Sequence, residues 1–227
     1  MEKSSTIVKD LIKVKAALRK SLRKDRKEFY TDDTRELFIN QDTGYYSTQY
    51  SKAIIDLVNK HFDQDEITVA GFWPIRSNRE VECDYLLRDL HLYSEKNSLG
   101  KSFKFCLPVV VSHGTPLIFR EWTPETVLED ASFKTKIPPV DCPELIPDCI
   151  ICPLLGFTPA GDRIGYGGGF YDRTITKILK SADKLLTVGV AFEVMKCTEI
   201  PHDTDDAKLD YVVTEKSVYD CANDLIQ

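Results

Sequence analysis

Residues 161–173 read GDRIGYGGGFYDR. Six of the chain's eleven glycines lie between Gly156 and Gly169, at 156, 161, 165, 167, 168 and 169, and Arg163 and Asp172 frame the densest part. Bare main chain lets consecutive backbone N–H groups converge, and a helix beginning at Phe170 adds the partial positive charge of its N-terminus. The chemistry this spacing predicts is anion binding, with the Arg163 guanidinium offering a charged fork to a phosphate. Two common nucleotide motifs nearly fit and then fail. The dinucleotide fingerprint G-x-G-x-x-G is broken because Phe170 stands where the third glycine belongs, and a P-loop is broken because Asp162-Arg163, not Lys-Ser/Thr, follows Gly161.

Asp172 admits two readings. An acid beside a phosphate cradle is unfavourable unless Mg²⁺ bridges carboxylate and phosphate oxygens, yet an acid in a first helical turn also suits the helix dipole. Tyr166, Phe170 and Tyr171 either stack on a flat heterocycle or anchor the loop in the core. Downstream, IPHDTDDAKLDYVV gathers Asp203, Asp205, Asp206 and Asp210 without the glycine and glutamate of an EF-hand. These acids read mostly as solvated loop residues, with completion of a magnesium site by one of them the alternative, and His202 reads as a surface residue. The single C-x-x-C, Cys149 to Cys152, sits on an expected strand whose positions three apart face opposite ways, so it reads as core and not as zinc.

The elements that must hold this loop follow from periodicity. A basic helix is expected over about 6–28, with Val8, Leu11, Ile12, Ala16, Leu18 and Leu22 near one stripe. Lys15, Arg19 and Arg23 recur every four residues, so they share one face. A second helix is expected over 47–62, capped by Ser47, and a third over 81–93, after a turn at PIRSNRE. Strands are expected at 67–73, 103–111, 116–122, 149–157, 185–192 and 211–215, with a proline-studded irregular connection over 123–148. The run CIICPLLGF is continuously apolar, as in a strand buried on both faces of a parallel sheet. Strand, glycine turn and helix in that order put the loop at the carboxyl end of a strand, where open α/β sheets bind ligands. The fold class expected is α/β, a three-layer α/β/α arrangement with a mainly parallel sheet, in one domain spanning 1–227.

Composition narrows the partners. Net charge is −6, but residues 1–27 hold ten Lys/Arg and three Asp/Glu, a net +7 that leaves −13 on the remainder. A basic start on an acidic body suits an anionic ligand or a solvated helix. Nucleic acid is not expected, because the body is acidic and aromatics do not interleave with the basic residues. No apolar run approaches the roughly 18 residues of a membrane span, and no secretory signal is expected. Seven scattered cysteines suggest reduced thiols and a cytoplasmic location; a mitochondrial presequence is the alternative, opposed by Glu2, Asp10 and Asp25.

The stretch CIICPLLGFTPAGDRIGYGGGFYDR resembles the loop of the 5-formyltetrahydrofolate cyclo-ligase (5,10-methenyltetrahydrofolate synthetase) family. VKAALRKSLR is similar to that family's N-terminal Lys-x-x-x-Arg segment, REVECDYLL to its Glu-led helix start, FCLPVV to its Leu-Pro strand, and VGVAFE with IPHDTDDAKLDYVVTE to its closing segment. The resemblance implies a CoA-transferase-like three-layer fold and a monomer acting on 5-formyltetrahydrofolate and ATP. It implies that Lys15, Arg19 and Arg163, Ile164, Gly165, Tyr166, Gly167, Gly168, Gly169, Phe170 and Tyr171 hold ATP. Glu80, with Tyr166, Gly167, Gly168, Gly169 and Phe170, would contact the folate, and Asp172 and Asp206 would bind Mg²⁺. Arg163 and Asp172 carry the catalytic roles. The chain departs from the family pattern at Thr158, at Cys83, at Phe170 and at KIPPV (136–140). The aromatic that usually precedes this last segment is replaced by Thr135, for which Phe133 or Trp73 would substitute.

Overall fold

Cys149–Cys152 is buried at every position, and so is Leu186–Val190. Successive strand residues point to opposite faces, so a strand buried throughout must be covered on both. In the computed structural model, which describes residues 2–31, 34, 49–96, 101–182 and 184–223, both runs belong to one seven-stranded sheet. Its strands are β1 (Glu66–Ala70), β2 (Ser102–Val109), β3 (Ile118–Glu121), β6 (Cys149–Cys152), β9 (Leu186–Val190), β10 (Tyr211–Val213) and β11 (Val218–Asp220). The spatial order is β11-β10-β9-β6-β1-β2-β3. The five inner strands run parallel, and β3 and β11 close the edges antiparallel. Two hairpins lie outside the sheet: β4 (Glu129–Asp130) with β5 (Lys136–Ile137), and β7 (Gly156–Phe157) with β8 (Arg163–Ile164).

The helices among the described residues are α1 (Glu2–Phe29), α2 (Gln49–His61), α3 (Cys83–Lys96) and α4 (Phe170–Leu179), of which α2, α3 and α4 pack their apolar faces into the core of the sheet. Helix α2 buries Tyr50, Ile54, Leu57 and Val58, an i, i+4, i+7, i+8 stripe, and α3 buries Leu86, Leu87 and Leu90. Each such aliphatic side chain contributes about 1.5–3 kcal/mol when fully covered. Helix α4 is pinned by Thr174, whose hydroxyl accepts from Leu117 N at 2.8 Å and donates to Phe170 O at 2.6 Å. Helix α1 lies on a smaller cluster of Leu22, Leu155, Ile164 and Ile200, with Leu18 and Tyr166 packed against it.

The sequence expectations differ from the structure in four places. The run 149–157 is not one strand: Pro153 has no N–H to continue the ladder, so β6 ends at Cys152 and Gly156–Phe157 turns to pair with β8. Residues 123–148 contain the β4–β5 hairpin and then cover the edge strand, with Glu121 N donating to Pro143 O at 2.8 Å and Leu145 N to Phe119 O at 2.9 Å. Ile12 is 59% exposed, because the inward face of α1 follows Lys15, Leu18, Arg19, Leu22 and Arg26 instead. Strand β11 was not anticipated from the sequence. The expected Ser47 cap lies outside the described residues. Among the described residues no helix is long and apolar enough to cross a membrane.

Candidate active site

The glycine loop leaves β8 and enters α4 at the carboxyl edge of the sheet, where the ends of β1, β2 and β6 also arrive. Gly167 has φ +98°, a backbone region that any Cβ would strain. Two carbonyls of the loop are occupied by arginines: Arg19 Nε donates to Gly165 O at 2.9 Å, and the Arg173 guanidinium donates to Gly168 O at 2.5 Å. The backbone N–H groups from Gly165 through Asp172 have no acceptor among the described residues. Carbonyls held back and amides left over make a cradle of the polarity an anion requires.

That cradle lines a cavity of about 600 Å³ with Lys15, Arg19, Arg163, Asp172, Asp203 and Asp206. Every residue that the family resemblance assigns to ATP borders it. Burial and the neighbouring Arg23 guanidinium pull Arg19 below the usual arginine value, with Asp206 opposing them. Positive charge is therefore crowded on the side of α1 that faces the loop.

The two expected metal ligands border this cavity too. Asp172 Oδ1 accepts from Arg163 at 2.6 Å and from Ala207 N at 3.2 Å, and Asp206 Oδ2 accepts from Lys15 Nζ at 2.5 Å and from Asp203 N at 2.9 Å. On each carboxylate the second oxygen has no hydrogen bond among the described residues. Two carboxylates that border one cavity with the loop amides, each with an oxygen free of hydrogen bonds, fit Mg²⁺, which takes one or two protein carboxylates and completes its shell with phosphate oxygens and water. Asp210 is not part of this pair: it accepts from both Thr187 N and Thr187 Oγ1 at 2.8 Å and so ties the start of β10 to β9. Asp205 is exposed, and His202 is an exposed residue near Asp162.

A second cavity, also of about 600 Å³, lies across the loop. Its walls include Phe72, Trp73, Val110, Phe133, Glu80 and Arg23. Pro153, Tyr166, Gly168, Phe170 and Tyr171 line both cavities, so the two meet at that shared wall. Gly167 and Gly169, which the resemblance gives to both ligands, line the first cavity alone. Thr135, Trp73 and Phe133 all line this cavity. Thr135 Oγ1 donates to Trp73 O at 3.1 Å, and the Phe133 ring stands 6.2 Å from that of Phe170. Phe133 and Lys134 both have positive φ, at 64° and 61°, which holds the Phe133 ring over the cavity at a local cost.

Glu80 is 4% exposed and opens on this second cavity. One of its oxygens accepts from Tyr166 Oη and the other from Ile75 N at 2.7 Å. Burial pushes its carboxyl above the usual range, opposed by those two bonds and by Arg26. The sequence places Arg23 on the basic face of α1 but gives it no wall of the second cavity, and it assigns no contact to Arg26 or Arg173. Arg26 carried a signal: it falls four residues after Leu22, a cation in the apolar stripe of its helix.

The sequence model of the 5-formyltetrahydrofolate cyclo-ligase family matches residues 12–215. A 5-formyltetrahydrofolate cyclo-ligase from Escherichia coli strain K12 is 32% identical over 108 residues, covering 46% of this chain and 58% of that protein. The mouse protein of the same name is 38% identical over 71 residues, 31% of this chain and 35% of that one. The chain thus spans between about a third and somewhat more than half of the length of the curated relatives it matches. A 5,10-methenyltetrahydrofolate synthetase structure from Mycoplasma pneumoniae superposes with a TM-score of 0.60 at 20% identity, covering 88% of this chain and 98% of the other. One from Aquifex aeolicus gives 0.61 at 24%, covering 94% and 96%. These likenesses establish a shared fold, and the match of the family model over most of the sequence establishes descent: the chain belongs to the 5-formyltetrahydrofolate cyclo-ligase family.

Proposed function

We propose that this protein catalyses the ATP-dependent cyclisation of 5-formyltetrahydrofolate to 5,10-methenyltetrahydrofolate, with release of ADP and phosphate. The observation that carries the reading is the pair of cavities sharing one wall, a cationic amide-lined one and an aromatic one bearing a buried carboxylate. Such a pair suits a nucleotide triphosphate on one side of the loop and a pterin on the other, so that transfer occurs at the shared wall.

The formyl oxygen of an amide-like group leaves poorly. In the proposed sequence it attacks the γ-phosphorus, the bond to ADP breaks, and the formyl carbon becomes an imidate-like phosphate. N10 then attacks that carbon, loses its proton, and phosphate departs with the former formyl oxygen. No enzyme nucleophile is required. The chain's contribution is alignment and charge: loop amides with Lys15, Arg19 and Arg163 neutralise the phosphoryl oxygens, and Glu80 accepts from the N–H edge of the pterin. Asp172 and Asp206 would hold Mg²⁺, which supplies further neutralisation of phosphate charge when bound.

An absorbance assay for methenylfolate formation, run with and without Mg-ATP, tests this. Product that forms only with Mg-ATP, with phosphate released in equal amount, is the expected result. Folate binding without phosphate release would leave a binding protein and overturn the reading.

A further inference from the structure

Arg26 is 1% exposed on the inner face of α1, and no carboxylate touches it among the described residues. Its guanidinium donates to Leu154 O at 3.3 Å and to Tyr166 Oη at 2.8 Å, stands 5.8 Å from the Tyr166 ring centroid, and leaves Nε without an acceptor. A buried cation with so few bonds is strongly unfavourable unless something compensates it. The compensation lies one hydroxyl away. Arginine only donates, so the Tyr166 oxygen must accept from Arg26 and its single proton must point at Glu80. Arg26 and Glu80 are thus an ion pair relayed through a phenol.

We propose that Arg26 is a positioning residue that acts through Tyr166 to keep Glu80 an oriented carboxylate at the wall of the second cavity. With one lone pair of each oxygen taken by Tyr166 and Ile75, the remaining acceptor sites are fixed in direction, as a ligand edge bearing adjacent N–H donors requires. The same chain links the two cavities, because Tyr166 lines both. The role assigned to Glu80 rests on the functional reading above; the relay itself is a property of the folded chain.

Burial raises the Glu80 carboxyl and Arg26 opposes it, so loss of the guanidinium must raise it further. The titratable and charged groups that act on Glu80 are Arg26 from α1, Tyr166 from the glycine loop, Tyr171 from α4 and Cys83 from α3, and Arg23, His113 and Lys134 line the same cavity. The experiment uses the full chain, with glutamate carboxyl carbons labelled and Glu80 assigned by its loss in Glu80→Gln. Carbon NMR follows its titration in the wild type, Arg26→Met, Arg26→Lys and Tyr166→Phe, and 5-formyltetrahydrofolate affinity is measured from acid to alkaline pH.

In Arg26→Met the Glu80 titration moves to higher pH. Folate affinity falls about tenfold on the acid side, with the deficit narrowing as pH rises and vanishing on a Glu80→Gln background. Arg26→Lys, which keeps a donor, recovers part of both effects. Tyr166→Phe keeps the buried cation and the ring, and shifts the titration in the same direction even where Arg26→Met folds poorly. An unmoved titration in both Arg26→Met and Tyr166→Phe overturns the relay, as does a pH-independent loss that adds in full to Glu80→Gln. A moved titration in a protein that binds no folate sustains the relay and refutes the functional reading instead.

Discussion

The Arg163 guanidinium and the Asp172 carboxylate meet at 2.6 Å although the whole glycine loop lies between them in sequence. Arg163 leaves β8 and Asp172 sits in the first turn of α4, so this pair closes the loop at its base. The Arg163 side chain is 5% exposed and its Nε is unbonded, so Asp172 is its principal partner. Asp172→Asn keeps the shape and an acceptor for Arg163 but removes the charge that Mg²⁺ would need. Turnover should fall by about 100-fold or more, the scale for losing one electrostatic support of a transition state. Circular dichroism should stay near wild type, while melting should fall by several degrees because the buried Arg163 loses its counter-charge. Phosphate release titrated against Mg²⁺ checks this, and an unchanged Mg²⁺ dependence would remove Asp172 from the metal site.

Two glycines close in sequence should fail in different ways. At Gly161, φ is +85° and an added Cβ would stand 2.5 Å from Leu209 O, a backbone atom that cannot swing aside. Gly161→Ala should therefore destabilise the fold by about 2 kcal/mol or more. At Gly167, φ is +98° but the nearest atoms belong to the Arg19 guanidinium at 3.3–3.5 Å, the end of a flexible side chain. Gly167→Ala should cost about 1 kcal/mol of stability and weaken ATP binding several-fold, because the strained φ shifts the loop amides and the methyl crowds the guanidinium that pins Gly165 O. Melting and calorimetric titration of the two variants separate these outcomes.

What the sequence disclosed was local. A cluster of glycines is a statement about φ and close approach, and the four-residue recurrence of Lys15, Arg19 and Arg23 is a statement about one helix face, so loop and cations were readable without any long-range contact. Helix α4 begins at Phe170, where the glycines end, for the same reason. The second cavity was less legible. Its wall at Phe133 depends on a ring contact with Phe170, 37 residues onward, and on two residues in left-handed backbone that no composition announces. The end of β6 at Cys152 was masked by the unbroken apolar character of CIICPLLGF, although Pro153 marked it. Arg26 was hidden because a cation in a basic helix reads as solvated, and only the fold puts Tyr166 against it.

Lys15 tests whether α1 belongs to the site or only rests on it. Its ammonium lies 2.5 Å from Asp206 and 3.7 Å from Asp203, and its side chain is 13% exposed at the cavity rim. In Lys15→Met the aliphatic stem survives and the charge does not. The ATP requirement should rise about tenfold while folate affinity holds, since Lys15 borders the first cavity and not the second. Initial rates at varied ATP and fixed folate check this. A matching rise in both substrate requirements would mean that the helix had shifted as a body.

Phe133 offers a prediction whose sign runs against ordinary propensity. Glycine in place of another residue normally loses stability, because the unfolded chain gains freedom. At φ 64°, however, every residue with a Cβ carries a strain of about 1 kcal/mol that glycine lacks. Phe133 is also 61% exposed, so removing its ring forfeits little buried area. Phe133→Gly should therefore melt at or above the temperature of Phe133→Ala, by a few degrees if the strain is fully relieved. Both variants lose the ring that faces Phe170 across the second cavity, so both should bind 5-formyltetrahydrofolate several-fold more weakly and by the same factor. Scanning calorimetry ranks the two stabilities, and a fluorescence titration with the folate compares the affinities. A glycine variant clearly less stable than the alanine one would show that the loop around Phe133 is not strained. Wild-type affinity in both would take the ring out of the pterin wall and leave Trp73 as its aromatic face.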